Sequence, residues 1–90
     1  MLINTVCGNG LGTSLILKIN VDKILKALGK NAEVEAVDVG SAGSSGADLI
    51  VTTSQFENNL KSINKKVIYV NNVTDKEDLR AQLVEYFEKN

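Results

Sequence analysis

The segment with the clearest capacity for chemistry runs from Cys7 to Ser14 and reads Cys-Gly-Asn-Gly-Leu-Gly-Thr-Ser. Its three glycines at alternate positions allow successive backbone N–H groups to turn inward and form an anion-binding nest. Thr13 and Ser14 add hydroxyl donors, and a helix that starts near Thr13 adds the positive end of its dipole. We therefore expect the segment to hold a dianionic phosphoryl group. The candidate phosphate-binding residues are Gly8, Asn9, Gly10, Leu11, Gly12, Thr13 and Ser14.

Cys7, the single cysteine of the chain, stands at the first position of this segment. Donors that hold a phosphate also stabilise a thiolate, so we expect the pKa of the Cys7 thiol to lie below the free value of ~8.5. A thiolate at the floor of a phosphate-sized nest is a nucleophile directed at phosphorus. The alternative interpretation is a small buried apolar residue beside a glycine turn. The predicted strand, glycine loop and helix start around Cys7 favour the nucleophile.

The composition of the chain restricts the chemistry further. The 90 residues include no histidine and one cysteine, and the net charge is −1. These counts exclude catalytic triads, an internal disulfide and cysteine-rich metal sites, so we expect no metal and no cofactor. A charge so close to neutral also argues against a nucleic-acid partner. No apolar run approaches the ~20 residues that a membrane span needs, and the start lacks the features of a signal peptide. We expect a cytoplasmic protein that forms a single domain over residues 1–90.

Other phosphate-binding motifs fit the segment less well. The P-loop pattern fails because the loop has no lysine, and the dinucleotide pattern fails because Thr13 stands where its third glycine belongs. Cysteine phosphatases place an arginine at the position of Thr13, and the single arginine, Arg80, falls in the predicted last helix. Such a site is expected to form a phosphocysteine but to hydrolyse it poorly. A small cysteine phosphatase and an anion-binding regulatory module without covalent chemistry remain the alternatives.

Alternating strands and helices must position this segment. Apolar runs predict strands at residues 1–6, 33–39, 48–52 and 67–70, and helical spacing predicts helices after the first, third and fourth of them. The first helix has an apolar face made of Leu17, Val21, Ile24, Leu25 and Leu28. This alternation predicts an α/β fold, a four-stranded parallel sheet of order 2-1-3-4 with helices on both faces. The fold class is flavodoxin-like and similar to that of the small cysteine phosphatases. In it Cys7 lies where such sheets bind ligands, at the carboxyl ends of the strands beside the switch in strand order.

Several local features carry their own predictions. Gly29 is expected to cap the first helix, and capping boxes are expected at residues 54–57 and 74–77. The connection at residues 40–46 is short for a parallel crossover, so the second strand is expected to end near Asp38. Thr52, Thr53 and Ser54 follow or end the third strand on the side of Cys7. They are expected to line the site, and the alternative is that Ser54 caps the next helix.

Residues 6–14 (Val-Cys-Gly-Asn-Gly-Leu-Gly-Thr-Ser) resemble the phosphorylation-site segment of the IIB subunits of the bacterial sugar phosphotransferase system, in particular the ascorbate-type subunits of the lactose/ascorbate group. The resemblance continues through Lys18, Val21 and Asp22 to Leu25 and returns at residues 46–51. It implies a phosphotransferase in which Cys7 takes a phosphoryl group from a phosphohistidine of subunit IIA. Cys7 then passes it to a sugar, ascorbate or a related one, held by the membrane permease IIC. It also implies that the loop from Gly8 to Ser14 holds the phosphate. Galactitol- and cellobiose-type IIB subunits share this layout, so the segment does not specify the sugar.

Overall fold

A four-stranded parallel sheet forms the centre of the protein. The computed structural model describes residues 1–7, 12–40, 42, 46–60, 65–72 and 75–89. The strands are β1 (Leu2–Cys7), β2 (Glu33–Asp38), β3 (Leu49–Thr53) and β4 (Lys66–Val70). All neighbouring strands are parallel and their order is β2-β1-β3-β4, so the predicted topology is confirmed.

Helices cover both faces of the sheet, as predicted. Helix α1 (Gly12–Leu28) and helix α3 (Lys76–Lys89) pack on one face, where the apolar stripe of α1 meets side chains such as Leu49, Val51 and Leu83. The short helix α2 (Glu57–Leu60) packs on the other face through Leu60, which contacts the cluster that contains Val6 and Ile50. Among the described residues, no helix is long and apolar enough to cross a bilayer.

The structure confirms one of the three predicted helix caps and contradicts a second, and the third falls on a residue outside those described. Gly29 adopts a φ of 69° after the last residue of α1, and its N–H and that of Lys30 bond back to carbonyls of the last turn, so the predicted cap is confirmed. The predicted cap at Ser54 is wrong. Strand β3 runs on to Thr53, and Ser54 opens a 3-10 turn (Ser54–Phe56) that precedes α2. At α3 the capping side chain is Asp75, whose Oδ1 accepts the Asp78 N–H at 3.1 Å; the predicted cap, Thr74, lies outside the described residues.

The connection from β2 to β3 is described at residues 39–40, at Ala42 and at residues 46–48. Strand β2 ends at Asp38, as predicted, and Ala42 is fully buried beside Val6 and Ile50. Gly46 then turns the chain with a φ of 75°, a conformation that favours glycine. The methyl group of Ala42 therefore packs on the face of the sheet that carries Val6 and Ile50. Residues 41 and 43–45 of the predicted connection lie outside the described residues.

Strand β2 forms one edge of the sheet and is strongly acidic. It pairs with β1 alone in the described sheet, and Glu33, Glu35 and Asp38 are all exposed along it. The opposite edge is β4, which begins with the exposed Lys66.

Candidate functional site

The carboxyl ends of β1 and β3 flank the point where the strand order reverses. From β1 the chain passes to β2 on one side and then returns to β3 on the other. In open α/β sheets, ligands bind at such a switch point, outside the carboxyl ends of the strands. Cys7 is the last residue of β1 and Thr53 the last of β3. The backbone therefore places the single cysteine of the chain at the position where this fold binds ligands.

Helix α1 begins five residues after Cys7. It starts at Gly12, one residue before the predicted start, so Gly12, Thr13 and Ser14 form its first turn rather than the end of a loop. That turn contains no acidic residue, and the N–H groups at the start of a 17-residue helix carry a partial positive charge. Gly8, Asn9, Gly10 and Leu11 lie outside the described residues.

A buried hydrogen bond fixes the end of β1 against β3. The Thr52 hydroxyl donates to the backbone carbonyl of Val6 at 3.0 Å, and both residues are fully buried. The Thr52 hydroxyl is therefore buried and directed at the backbone of β1. It holds the residue that precedes Cys7.

The hydroxyl of Thr53, unlike that of Thr52, makes no hydrogen bond within the described residues. Thr53 is 7% exposed, and its Oγ1 has no hydrogen-bond partner among the residues that the structure describes. It occupies the N-cap position of the 3-10 turn but makes no side-chain capping bond. Ser54 is exposed. Of the three hydroxyl residues at the end of β3, Thr53 thus has the buried hydroxyl that is not used within the described fold.

Among the described residues, Asp38, Glu57 and Tyr69 bring titratable groups to this end of the sheet. Asp38 pairs in register with Cys7 across β1 and β2 and is exposed. Burial raises the pKa of Tyr69, and the nearby Glu57 carboxylate raises it further, so Tyr69 is neutral at pH 7. Arg80 lies exposed on α3, in agreement with the solvated position expected for it.

The first turns of α1 expose large apolar side chains. Leu15, Ile16 and Ile19, here called the α1 apolar patch, are 46%, 43% and 51% exposed. Toward the end of the helix the outer face becomes basic, with exposed Lys23 and Lys26, while Lys18 pairs with Asp22 at 3.2 Å. Sequence reasoning missed this patch. The signal was available, because at ~100° per residue these positions lie opposite the stripe that includes Leu17 and Val21.

Comparisons with known proteins give a consistent set of matches. The family described as "PTS system, Lactose/Cellobiose specific IIB subunit" matches residues 2–85. The ascorbate-specific PTS system EIIB component of Mycoplasma pneumoniae is 39% identical over 87 residues, covering 90% of this chain and 88% of that protein. The proteins of the same name from Salmonella typhimurium and Escherichia coli O157:H7 are 35% identical over 86 residues, covering 92% of this chain and 85% of each. In fold, the chain is similar to a low molecular weight protein tyrosine phosphatase from Bacillus subtilis, with a TM-score of 0.65, 16% identity and coverage of 100% and 99%.

Proposed function

Because the chain belongs to the family of lactose/cellobiose-specific IIB subunits of the phosphotransferase system, we propose that Cys7 is the residue on which this phosphotransferase carries its phosphoryl group. The observation that supports the proposal most is the position of Cys7, at the carboxyl end of β1 and five residues before the start of α1. Gly8 to Ser14 are proposed to bind the phosphoryl oxygens through backbone N–H groups and the hydroxyls of Thr13 and Ser14.

Two transfers make up the proposed reaction. In the first, Sγ of Cys7 attacks the phosphorus of a phosphohistidine on IIA. The S–P bond forms as the N–P bond breaks, and the thiol proton passes to the departing imidazole. In the second, a hydroxyl of a sugar held by the permease IIC attacks the same phosphorus. The O–P bond forms as the S–P bond breaks, and the hydroxyl proton returns to sulfur. The chain contains no histidine, which fits a donor histidine on another protein.

The substrate and location are proposed from the relatives. The names of the similar proteins from Mycoplasma, Salmonella and Escherichia specify ascorbate, so we take ascorbate or a related sugar as the final acceptor. Residues 1–90 are proposed to act as one cytoplasmic IIB domain between IIA and IIC.

The α1 apolar patch is proposed to contact IIA. Ile19, its most distant member, lies seven residues from Gly12, which is ~10 Å along the helix axis, so a donor that reaches the phosphate site also covers the patch. Covering apolar side chains excludes water from the transfer and protects the phosphoryl group from hydrolysis. Since Lys23 and Lys26 continue the same outer face, the complementary surface has an apolar centre and an acidic border.

Phosphorylation by the purified general proteins of the system and a matching IIA tests the proposal. Intact-protein mass spectrometry should show one phosphoryl adduct on the wild-type chain and none on Cys7→Ser, with circular dichroism confirming that the variant is folded. An adduct that persists in Cys7→Ser would refute the assignment. Steady hydrolysis of a phosphate ester without IIA or IIC would instead indicate a cysteine phosphatase.

A further inference from the structure

The outer face of α1 carries apolar side chains that the fold does not need. The inner stripe of the helix packs against the sheet, whereas the α1 apolar patch stays about half exposed. Among the large apolar side chains that are exposed in the described part of the chain, only that of Met1 lies outside this patch. Exposed apolar groups that gather on one surface mark a contact with a partner.

Beyond the patch, the outer face of α1 is basic. The helix contains three lysines and one acidic residue, Asp22, which pairs with Lys18 at 3.2 Å. Lys23 and Lys26 are exposed, and at ~100° per residue both lie within ~40° of Ile19 around the helix axis. Apolar side chains bordered by lysines on one helix face are typical of helices that lie on an anionic bilayer.

Two exposed carboxylates of β2 lie on the opposite side of the sheet from α1. Val34 packs in the cluster that α1 covers, and successive side chains of a strand alternate between the two faces. Glu33 and Glu35 therefore project away from α1. Because charges more than ~8 Å from a surface are largely screened at physiological salt, the lysines that face an anionic surface outweigh these carboxylates. A net charge of −1 is thus compatible with such a contact.

We infer that the outer face of α1 rests on the anionic headgroups of the bilayer when Cys7 delivers its phosphoryl group; this inference rests on the transfer to a membrane permease proposed above. The patch begins ~5 Å along the axis from Gly12, so the contact lies at the Cys7 end of the molecule. With α1 on the leaflet, the sheet lies about one helix diameter, ~10 Å, above it. The carboxyl ends of the strands then face along the surface, toward a permease embedded in the same bilayer.

Co-sedimentation of the purified, unphosphorylated chain with vesicles tests the charge of this contact. We expect binding to vesicles of equal parts phosphatidylglycerol and phosphatidylcholine, little binding to phosphatidylcholine alone, and release at about 1 M NaCl, where the screening length is ~3 Å. Lys23→Gln should weaken binding about fivefold, as expected for one lysine at an anionic surface. Lys66→Gln removes the same charge at the opposite edge of the sheet and, as the matched control, should bind like wild type.

The apolar part of the contact is tested at Ile19. Ile19→Ser should weaken vesicle binding about fivefold, because a half-exposed apolar side chain no longer enters the headgroup region. The chain has no tryptophan, so Ile19→Trp introduces a single fluorophore. Its emission should shift to shorter wavelength on the anionic vesicles, whereas that of Lys66→Trp should not. Circular dichroism checks that each variant is folded.

Equal sedimentation of the wild-type chain with anionic and with phosphatidylcholine vesicles would overturn the inference, as would wild-type binding by both Ile19→Ser and Lys23→Gln. Absence of vesicle binding together with slow phosphorylation of Ile19→Ser by IIA would also overturn it and leave the patch as a contact for IIA alone. The vesicle assay needs neither IIA nor a phosphoryl group. Vesicle binding without phosphorylation of Cys7 would therefore leave the membrane contact standing and refute the transfer.

Discussion

Replacing Thr52 by valine removes the hydrogen bond that fixes the end of β1, and its cost follows from the geometry. The 3.0 Å bond to the Val6 carbonyl is formed between fully buried residues, so water does not replace the lost donor. Valine has the same shape, which leaves no cavity. The lost hydrogen bond and the buried Val6 carbonyl that loses a donor together lower the free energy of unfolding by about 2 kcal/mol. In a chain of this size, that corresponds to a fall in melting temperature of roughly 10 °C.

Urea unfolding followed by far-ultraviolet circular dichroism measures this loss, since the chain has no tryptophan to serve as a fluorescent probe. The matched control is Ser54→Ala, which changes an exposed hydroxyl two residues away that makes no capping bond. It should alter the free energy of unfolding by about 0.5 kcal/mol or less. Equal stability of Thr52→Val and wild type would show that the hydroxyl does not bind the Val6 carbonyl. It would also remove the evidence that β1 and β3 stay in contact up to Cys7.

Two further variants test the cap of α1 and its outer face. Gly29→Ala should lower the free energy of unfolding by about 1 kcal/mol, because the φ of 69° strains any Cβ although nothing lies within 4 Å of it. Gly29→Asn should lose less in the same urea titration, and an equal loss would contradict a purely conformational cause. Ile19→Ser should slow phosphorylation by IIA with little change in melting temperature, because the side chain is half exposed. Ala27→Ser, at the far end of the same helix, is its control, and equal rates for the two would argue against docking at the α1 apolar patch.

The order of the strands was predictable because it depends on periodicity, which is averaged over many residues. The apolar stripe of α1 and the short apolar runs of β1 and β3 each specify an element even if one residue is misjudged. The caps were less predictable because they depend on single residues. Ser54 satisfies the capping-box pattern, but β3 extends to Thr53 and Ser54 opens the 3-10 turn instead.

In the candidate site, too, features set by periodicity were predictable and features set by single residues were not. The position of Cys7 at the end of a strand followed from the pattern, and the structure agrees. The different environments of Thr52 and Thr53 could not be predicted, because two identical neighbours in a strand point to opposite faces and a shift of one residue in register exchanges them. Residues 8–11, which carry the glycine pattern, stay a prediction.

The acidic edge formed by β2 also bears on how the protein behaves when it is crowded. An open edge strand offers unpaired backbone groups to any other strand and is a common starting point for aggregation. Two copies that met along β2 would bring Glu33, Glu35 and Asp38 of one molecule toward the same carboxylates of the other. Their mutual repulsion disfavours an extended intermolecular sheet, and salt weakens this protection by screening the charges. The carboxylates along β2 therefore also oppose aggregation of the protein through this edge of the sheet.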